Sequence, residues 1–234
     1  MAVRTVAIVV AAGSGVRMGA DMPKALMPLG GRPMVAWSLD ALADTEEVDG
    51  IVVVGPPGWE EDASHAIGAL VDLLALVPGG ATRQRSVACG LAVVPDETEL
   101  VVVHDAARPL VTPELAGAVI QAVDGADGAI AAAPLADTLK RAGDDLIVEA
   151  TLDRASLWRA ETPQAFHAPV LRRAFELADD ETLDVATDCA TMVEALGGRV
   201  RLVPAIAPNL KVTTPPDIAL AEYLLRASGV LVDE

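Results

Sequence analysis

Basic residues are scarce in this chain of 234 residues: 17 lysines and arginines stand against 34 acidic residues, leaving a formal net charge of −17. Only three lysines occur, Lys24, Lys140 and Lys211. Sequence-independent binding of nucleic acid needs a broad basic footprint, so this composition argues against it, and an anionic ligand has to be held by a local cluster of cations. Cysteine is nearly absent. Cys89 and Cys189 are too few for a disulfide framework and lack metal-ligand spacing, which predicts buried free thiols in a reducing, cytoplasmic setting. No apolar run approaches the length of a bilayer span, so no membrane role is expected. The apolar start passes into Gly-Ser-Gly and then charge without a cleavage site, and it reads as a core strand, not a signal peptide. Aromatic residues are 3% of the chain, so a core drawn from 52% apolar residues is packed from aliphatic side chains. The length suits a single domain over 1–234.

What the chain does have is a glycine-rich turn, Ala11-Ala12-Gly13-Ser14-Gly15-Val16-Arg17-Met18-Gly19, directly after the run Val6-Ala7-Ile8-Val9-Val10 and shortly before Pro23-Lys24. A β-branched run followed by small residues lets backbone N–H groups approach an anion, and Arg17 and Lys24 add cations beside the loop. A generic strand-to-helix turn or a dinucleotide site is the competing reading. A dinucleotide fold, however, expects an acid at the end of its second strand, and here Ile51-Val52-Val53-Val54 ends in Gly55-Pro56-Pro57. There is no Gly-x-x-x-x-Gly-Lys-Ser/Thr run, which excludes a P-loop.

Apolar β-rich runs near 5–10, 50–54, 73–77, 100–103 and 128–133 alternate with helical patterns. That alternation predicts an α/β fold, Rossmann-like, with a mostly parallel sheet and helices on both faces. Pro33 is placed as the first-turn proline of one helix, and Thr112-Pro113-Glu114 reads as cap, first-turn proline and early acid of another. Residues 135–155 differ: two β-like stretches flank Ala142-Gly143-Asp144-Asp145, which predicts a projecting hairpin arm. A lone hairpin is marginal in water, so a second subunit is its natural support.

Open α/β sheets bind ligands beyond the carboxyl ends of their strands, and three candidate segments fall there. The glycine loop is one. Gly79-Gly80-Ala81-Thr82-Arg83-Gln84-Arg85-Ser86 is the second, with Ser86 read evenly as helix cap or ligand contact. His104-Asp105-Ala106-Ala107-Arg108-Pro109 is the third. Asp105 and Arg108 read as an ion pair, or as an Asp105 aimed at a metal, ribose or polyol hydroxyl; His104 is left as a structural or hydrogen-bonding residue.

These motifs, together with Thr162-Pro163-Gln164 and Asn209-Leu210-Lys211-Val212-Thr213, resemble in order and spacing the 2-C-methyl-D-erythritol 4-phosphate cytidylyltransferase family over residues 4 to 225. The resemblance implies a nucleotide-diphospho-sugar transferase type of fold. It implies transfer of a cytidylyl group from CTP to methylerythritol phosphate with release of pyrophosphate, in non-mevalonate isoprenoid synthesis, with a divalent metal, normally Mg2+. By the same resemblance Arg17, Lys24, Arg154 and Lys211 are the catalytic cations. Ala11, Ala12, Gly13, Gly15, Gly80, Arg83, Ser86 and Asp105 hold CTP. Asp105, Arg108, Thr138, Arg154 and Lys211 hold the polyol phosphate. Thr138 and Arg154 act in trans from the arm of a homodimer partner. No metal ligand is assigned, Asp105 being the one candidate, and Thr187-Asp188 reads as a helix cap.

Glu161, Cys189 and Ala81 depart from the family's usual residues, and none of the three removes a proposed cation. A phosphate monoester is largely ionised at neutral pH, its second pKa being about 6, so no general base is required. The absence of a Gly-x-Ser-x-Gly elbow and of a His-Glu-x-x-His site agrees with such chemistry. Competing readings are a cytidylyltransferase for ribitol 5-phosphate, a CTP-binding regulator without turnover, and a glycosyltransferase, the last disfavoured by the lack of an Asp-x-Asp motif.

Overall fold

A computed structural model describes residues 4–13, 15, 22–58, 67, 71 and 73–231. Its centre is a seven-stranded sheet in the order β11-β7-β10-β6-β1-β4-β5. The strands are β1 (Thr5–Val10), β4 (Gly50–Gly55), β5 (Ala75–Pro78), β6 (Leu100–Asp105), β7 (Gly128–Pro134), β10 (Trp158–His167) and β11 (Val200–Pro204). Pairing is parallel throughout, except that β10 runs antiparallel to both β6 and β7. The short strands β2 (Pro28–Leu29) and β3 (Arg32–Pro33) form one small antiparallel ladder, and β8 (Leu139–Ala142) and β9 (Val148–Leu152) form another.

The expected strands appear within two residues of their predicted starts, because each is a buried apolar run with a neighbour on either side or a helix over it. Two strands in the sheet were not anticipated. In β10 the register shifts between Ala160 and Gln164, around the cis Thr162–Pro163 peptide, so its sequence lacks a clean alternation. At the sheet edge β11 is short and half exposed, which leaves little apolar signal.

Both faces of β1 are buried, as a parallel strand between helices requires. Ala7 and Val9 pack with Val35 and Leu39 of α1 (Met34–Ala43) and with Val119 of α3 (Pro113–Gln121). Val6 and Ile8 pack with Val87 and Leu91 of α2 (Arg83–Leu91), with Leu171 of α4 (Ala168–Leu177) and with Met192 of α6 (Cys189–Ala195). The short helix α5 (Asp180–Val185) precedes α6, and α7 (Pro215–Ala227) closes a third apolar cluster over Leu29, Met34 and Trp37. Among the described residues no helix is long and apolar enough to cross a membrane.

Helix starts follow their local chemistry. Thr112 caps α3 by accepting from Leu115 N, with Pro113 in the first turn as expected. Pro33, by contrast, is the residue before the first helical turn of α1, one position earlier than predicted, because it still belongs to the β3 ladder. Thr214 and Asp217 form a capping box at α7.

Close packing of α2 on the sheet depends on Gly90, where a Cβ would come within 2.7 Å of Ile8 Cγ2 and 2.8 Å of Val54 Cγ2. Those methyl groups belong to fully buried, χ1-stiff side chains and cannot move aside. Alanine gains about 1 kcal/mol of helix propensity, against about 1–3 kcal/mol for overpacking. Gly90→Ala is therefore expected to lower stability by a net ~1 kcal/mol, read as a fall in the urea midpoint; an unchanged or raised midpoint would contradict this packing.

Candidate active site

The strand order reverses beside β1, with β4 on one side and β6 on the other, and a crevice opens at such a switch point. A cavity of about 460 Å³ lies there, lined by Ala11, Ala12 and Gly13 after β1, Gly80 to Arg83 and Ser86 after β5, Asp105 to Ala107 after β6, and Lys24 and Lys211. The carboxyl ends of three strands thus bring together most of the residues singled out above.

Small residues are forced on two of these loops. Gly15 has φ +68 and a Cβ on it would press to 3.0 Å from Lys24 Cβ, so the glycine loop packs directly against the lysine's backbone. At Gly79 a Cβ would fall 2.3 Å from Ala12 Cβ and 2.9 Å from Ser86 Oγ. The Ser86 hydroxyl is buried; it accepts from Gly80 N (3.1 Å) and lies 2.9 Å from Thr82 O, to which it donates. The cap of α2 is Thr82, which accepts from Arg85 N, so the capping half of the Ser86 reading is corrected: Ser86 sits inside the helix and pins the preceding loop.

Asp105 ends β6 and is 7% exposed. Its Oδ1 accepts from Arg83 Nε at 2.8 Å and its Oδ2 from Lys211 Nζ at 2.7 Å. Burial alone would raise this carboxyl's pKa, but the charges of Arg83 and Lys211 outweigh it and hold the group well below the usual carboxylate range. Burial opposes the charge on Arg83 as well, and Asp105 more than restores it. Arg83 also donates to Cys189 Sγ at 3.7 Å, while burial pushes the Cys189 thiol up to about 11. Lys24 Nζ donates to Val212 O at 2.9 Å, which joins the glycine-loop side to the segment carrying Lys211.

A second layer lies behind the cavity. His104 is fully buried; its Nε2 is 3.3 Å from Arg108 O and its Nδ1 is 3.1 Å from Thr162 Oγ1. Arg108 is 8% exposed, donates from Nη1 to Asn209 O at 2.7 Å and lies 3.9 Å from Glu161 Oε2. Burial lowers the Arg108 pKa, with Glu161 opposing. Arg108 therefore stands behind the cavity wall and does not line it. Thr138 and Arg154 are exposed on the β8–β9 arm and its flank, outside the cavity lining; Arg154 Nη1 donates to Ala136 O. Arg17 lies outside the described residues. Asp188 caps α6 through Thr191 N, as its sequence predicted. The roles of Thr82, Thr162 and Asn209 were not foreseen: Thr82 adds to its cap a hydrogen bond to Leu183 O, and Thr162 and Asn209 act through partners far away in sequence, which leave no local pattern.

Among the described residues no group of three or more His, Cys, Asp or Glu side chains could hold a metal ion. Both oxygens of Asp105, the one candidate, are already engaged by cations. The described residues do not fit a resident metal.

The sequence model of the 2-C-methyl-D-erythritol 4-phosphate cytidylyltransferase family matches residues 5–227. A protein of that name from Streptomyces avermitilis is 44% identical over 95% of this chain and 92% of its own length. Another, from Synechococcus sp., is 43% identical over 93% of this chain and 96% of its own. Among solved structures, the 4-diphosphocytidyl-2C-methyl-D-erythritol synthase of Anaerococcus prevotii superposes with TM-score 0.82 at 30% identity, covering 95% of this chain and 98% of that one. The 2-C-methyl-D-erythritol 4-phosphate cytidylyltransferase of Thermus thermophilus gives 0.77 at 34% identity, covering 97% and 100%.

Burial lowers the His104 pKa to about 4, so the folded protein holds this imidazole neutral while the unfolded chain, at about 6.5, takes up a proton. The stability from this group is complete above pH 6.5 and is lost as pH falls towards 4, at about 1.4 kcal/mol per pH unit. Urea midpoints at pH 7.5, 5.5 and 4.5 are expected to decline over this interval, and less steeply in His104→Gln; equal declines would remove His104 as the cause.

Proposed function

The chain belongs to the 2-C-methyl-D-erythritol 4-phosphate cytidylyltransferase family, and on that premise we propose how its own residues perform the transfer. The reaction is CTP-dependent cytidylyl transfer to 2-C-methyl-D-erythritol 4-phosphate, in the non-mevalonate route to isoprenoids. The ribitol 5-phosphate alternative is not favoured. An oxygen of the polyol phosphate forms a bond to the α-phosphorus of CTP as the bond to the β-phosphate oxygen breaks, and pyrophosphate leaves with that electron pair. The nucleophile is already anionic, so catalysis consists of alignment and charge neutralisation.

The observation that carries the assignment of roles is the meeting of Lys24 and Lys211, from segments 187 residues apart, at one cavity beside the loops after β1 and β5. Ala12 and Gly13 carry the backbone N–H groups offered to the cytidine phosphates, those of Ala11, Gly79 and Gly80 being given to Val54 O, Gly55 O and Ser86 Oγ. Lys24, with Arg17 from the same loop, neutralises the triphosphate and the departing pyrophosphate. Asp105 fixes Lys211 and Arg83, and Lys211 is the more accessible of the two, its side chain 40% exposed against 20%. Lys211 thus passes from Asp105 to the incoming polyol phosphate. Magnesium enters with the triphosphate as part of the nucleotide substrate, since this ion commonly rests on phosphates and water.

We further infer a homodimer in which the arm of one subunit completes the other's site. Leu146, Ile147 and Val148 at the arm's tip are 84%, 65% and 55% exposed. Leu146 also has φ +61, a conformation that glycine or asparagine adopts at lower cost, so its side chain is retained for contact and not for the turn. Thr138 and Arg154 ride on this arm and act in trans, Arg154 on the polyol phosphate.

Pyrophosphate release from MgCTP is expected with methylerythritol phosphate and not with ribitol 5-phosphate; the reverse preference would overturn the substrate assignment. Lys24→Ala is expected to lower kcat by about 10²–10³-fold. Mixing inactive Lys24→Ala with inactive Arg154→Ala restores activity if Arg154 acts in trans, and leaves the mixture inactive if it acts within its own chain.

A further inference from the structure

The functional reading so far leaves out the one fully buried imidazole among the described residues, and its partners form a closed circuit. Asp105 N donates to Thr162 Oγ1 at 3.1 Å, and that hydroxyl lies 3.1 Å from His104 Nδ1. His104 Nε2 lies 3.3 Å from Arg108 O, and Arg108 N donates back to Asp105 O at 2.9 Å. A second branch runs from Arg108 Nη1 to Asn209 O (2.7 Å) and from Asn209 Nδ2 to Thr162 O (2.7 Å).

The proton positions in this circuit are determined by chemistry. A carbonyl oxygen can only accept, so the His104 nitrogen facing Arg108 O must carry hydrogen. The other nitrogen is then a lone pair, and Thr162, already accepting from Asp105 N, donates its single hydroxyl hydrogen to it. An Nδ1–H tautomer would set lone pair against lone pair at Arg108 O and leave two donors facing the Thr162 oxygen. Every atom named here belongs to a residue less than 9% exposed, where an unmade hydrogen bond leaves a desolvated polar group uncompensated.

We propose that His104, with its proton on Nε2, is a positioning residue for the polyol-phosphate half of the site, tying the turn 105–108 to Thr162 and, through Arg108 and Asn209, the segment that carries Lys211 into the cavity. The inference rests on the reading of Lys211 as a polyol-phosphate ligand. Asp105 is held independently by the β1–β6 ladder, where it pairs with Val10. Losing the imidazole therefore loosens the turn beyond Asp105 and the Asn209 segment tied to it, while the CTP loops at 11–13 and 79–86 keep their own hydrogen bonds. Burial, which lowers the His104 pKa to about 4, keeps the circuit in one protonation state at neutral pH.

Imidazole ¹⁵N–¹H correlation spectra of the intact protein at pH 7.5, with the His104 signal assigned by its loss in His104→Gln, are expected to show a neutral ring protonated on Nε2. A cation, or a ring protonated on Nδ1, would overturn the proposal. In steady-state assays His104→Leu is expected to raise KM for methylerythritol phosphate about tenfold while KM for CTP stays within about twofold. His104→Gln, which can place an amide donor near the Nε2 position, is expected to recover most of that loss. Equal changes in both KM values, or a Leu variant with wild-type kinetics, would sink the idea. Thr162→Val carries the same kinetic test should His104→Leu fail to fold. A wild-type protein silent towards methylerythritol phosphate would refute the functional reading, and the ring's tautomer would still decide the circuit.

Discussion

A carboxylate buried at the end of a central strand is tolerable only if cations close on it, and Asp105 is closed from two sides. Arg83 comes from the first turn of α2 and Lys211 from the segment after β11, so one ion triplet draws together three regions that are far apart in sequence. Removing a partner from such a buried pair costs about 3–5 kcal/mol, which makes the convergence of these loops a requirement of the fold as well as of the site. The same triplet is unequal. Arg83 is tied further to Gln84 and Cys189, whereas Lys211 has solvent on one side. In the role proposed for it, Lys211 is the cation that an arriving phosphate draws away, while Arg83 stays in place and Asp105 keeps a counter-charge in either state.

That local arrangement matters because the rest of the molecule repels its ligands. With a net charge of −17, the protein offers no attraction to a triphosphate at long range. Screening at physiological ionic strength confines surface charges to about 8 Å, and inside that distance the cations of the cavity decide the potential. Scarcity of lysine elsewhere is compatible with function because two of the three lysines, Lys24 and Lys211, face the same cavity.

How much of this was legible beforehand follows from where the information lies. The strands β1, β4, β5, β6 and β7 declare themselves as apolar runs, and their carboxyl ends place Ala11 to Gly13, Gly80 and Asp105 without further argument. Thr112 and Asp188 as caps are equally local. By contrast β10 carries a proline, a register shift and buried polar residues, so its periodicity is destroyed by the very features that let Thr162 accept from Asp105 N and Gln164 bind Asp188 and Cys189. Ser86, read evenly as cap or ligand contact, is not the cap for a related reason: Thr82 supplies the acceptor four residues earlier, and two hydroxyls so close in sequence cannot be ranked without the backbone. Arg108 reads as a ligand from its motif, yet it stands behind the wall, since its guanidinium is turned towards the Asn209 carbonyl.

Glu161 shows how a buried carboxylate can be absorbed. It is 2% exposed, and a lone carboxylate at that depth would be costly. Arg159 makes two hydrogen bonds to Oε1, at 3.2 and 2.8 Å, while Oε2 lies 3.9 Å from Arg108 Nη1. Two guanidinium groups thus flank one carboxylate, and the trio keeps a single positive charge. A neutral amide at 161 would leave both arginines uncompensated and add one positive charge next to the 105–108 turn. The carboxylate therefore weakens the field that a polyol phosphate meets near Arg108, and it leaves Lys24 and the glycine loop, on the far side of β6, unaffected. On the proposed roles, the consequence of Glu161 falls on the affinity for the acceptor substrate and not on the cations of the cavity.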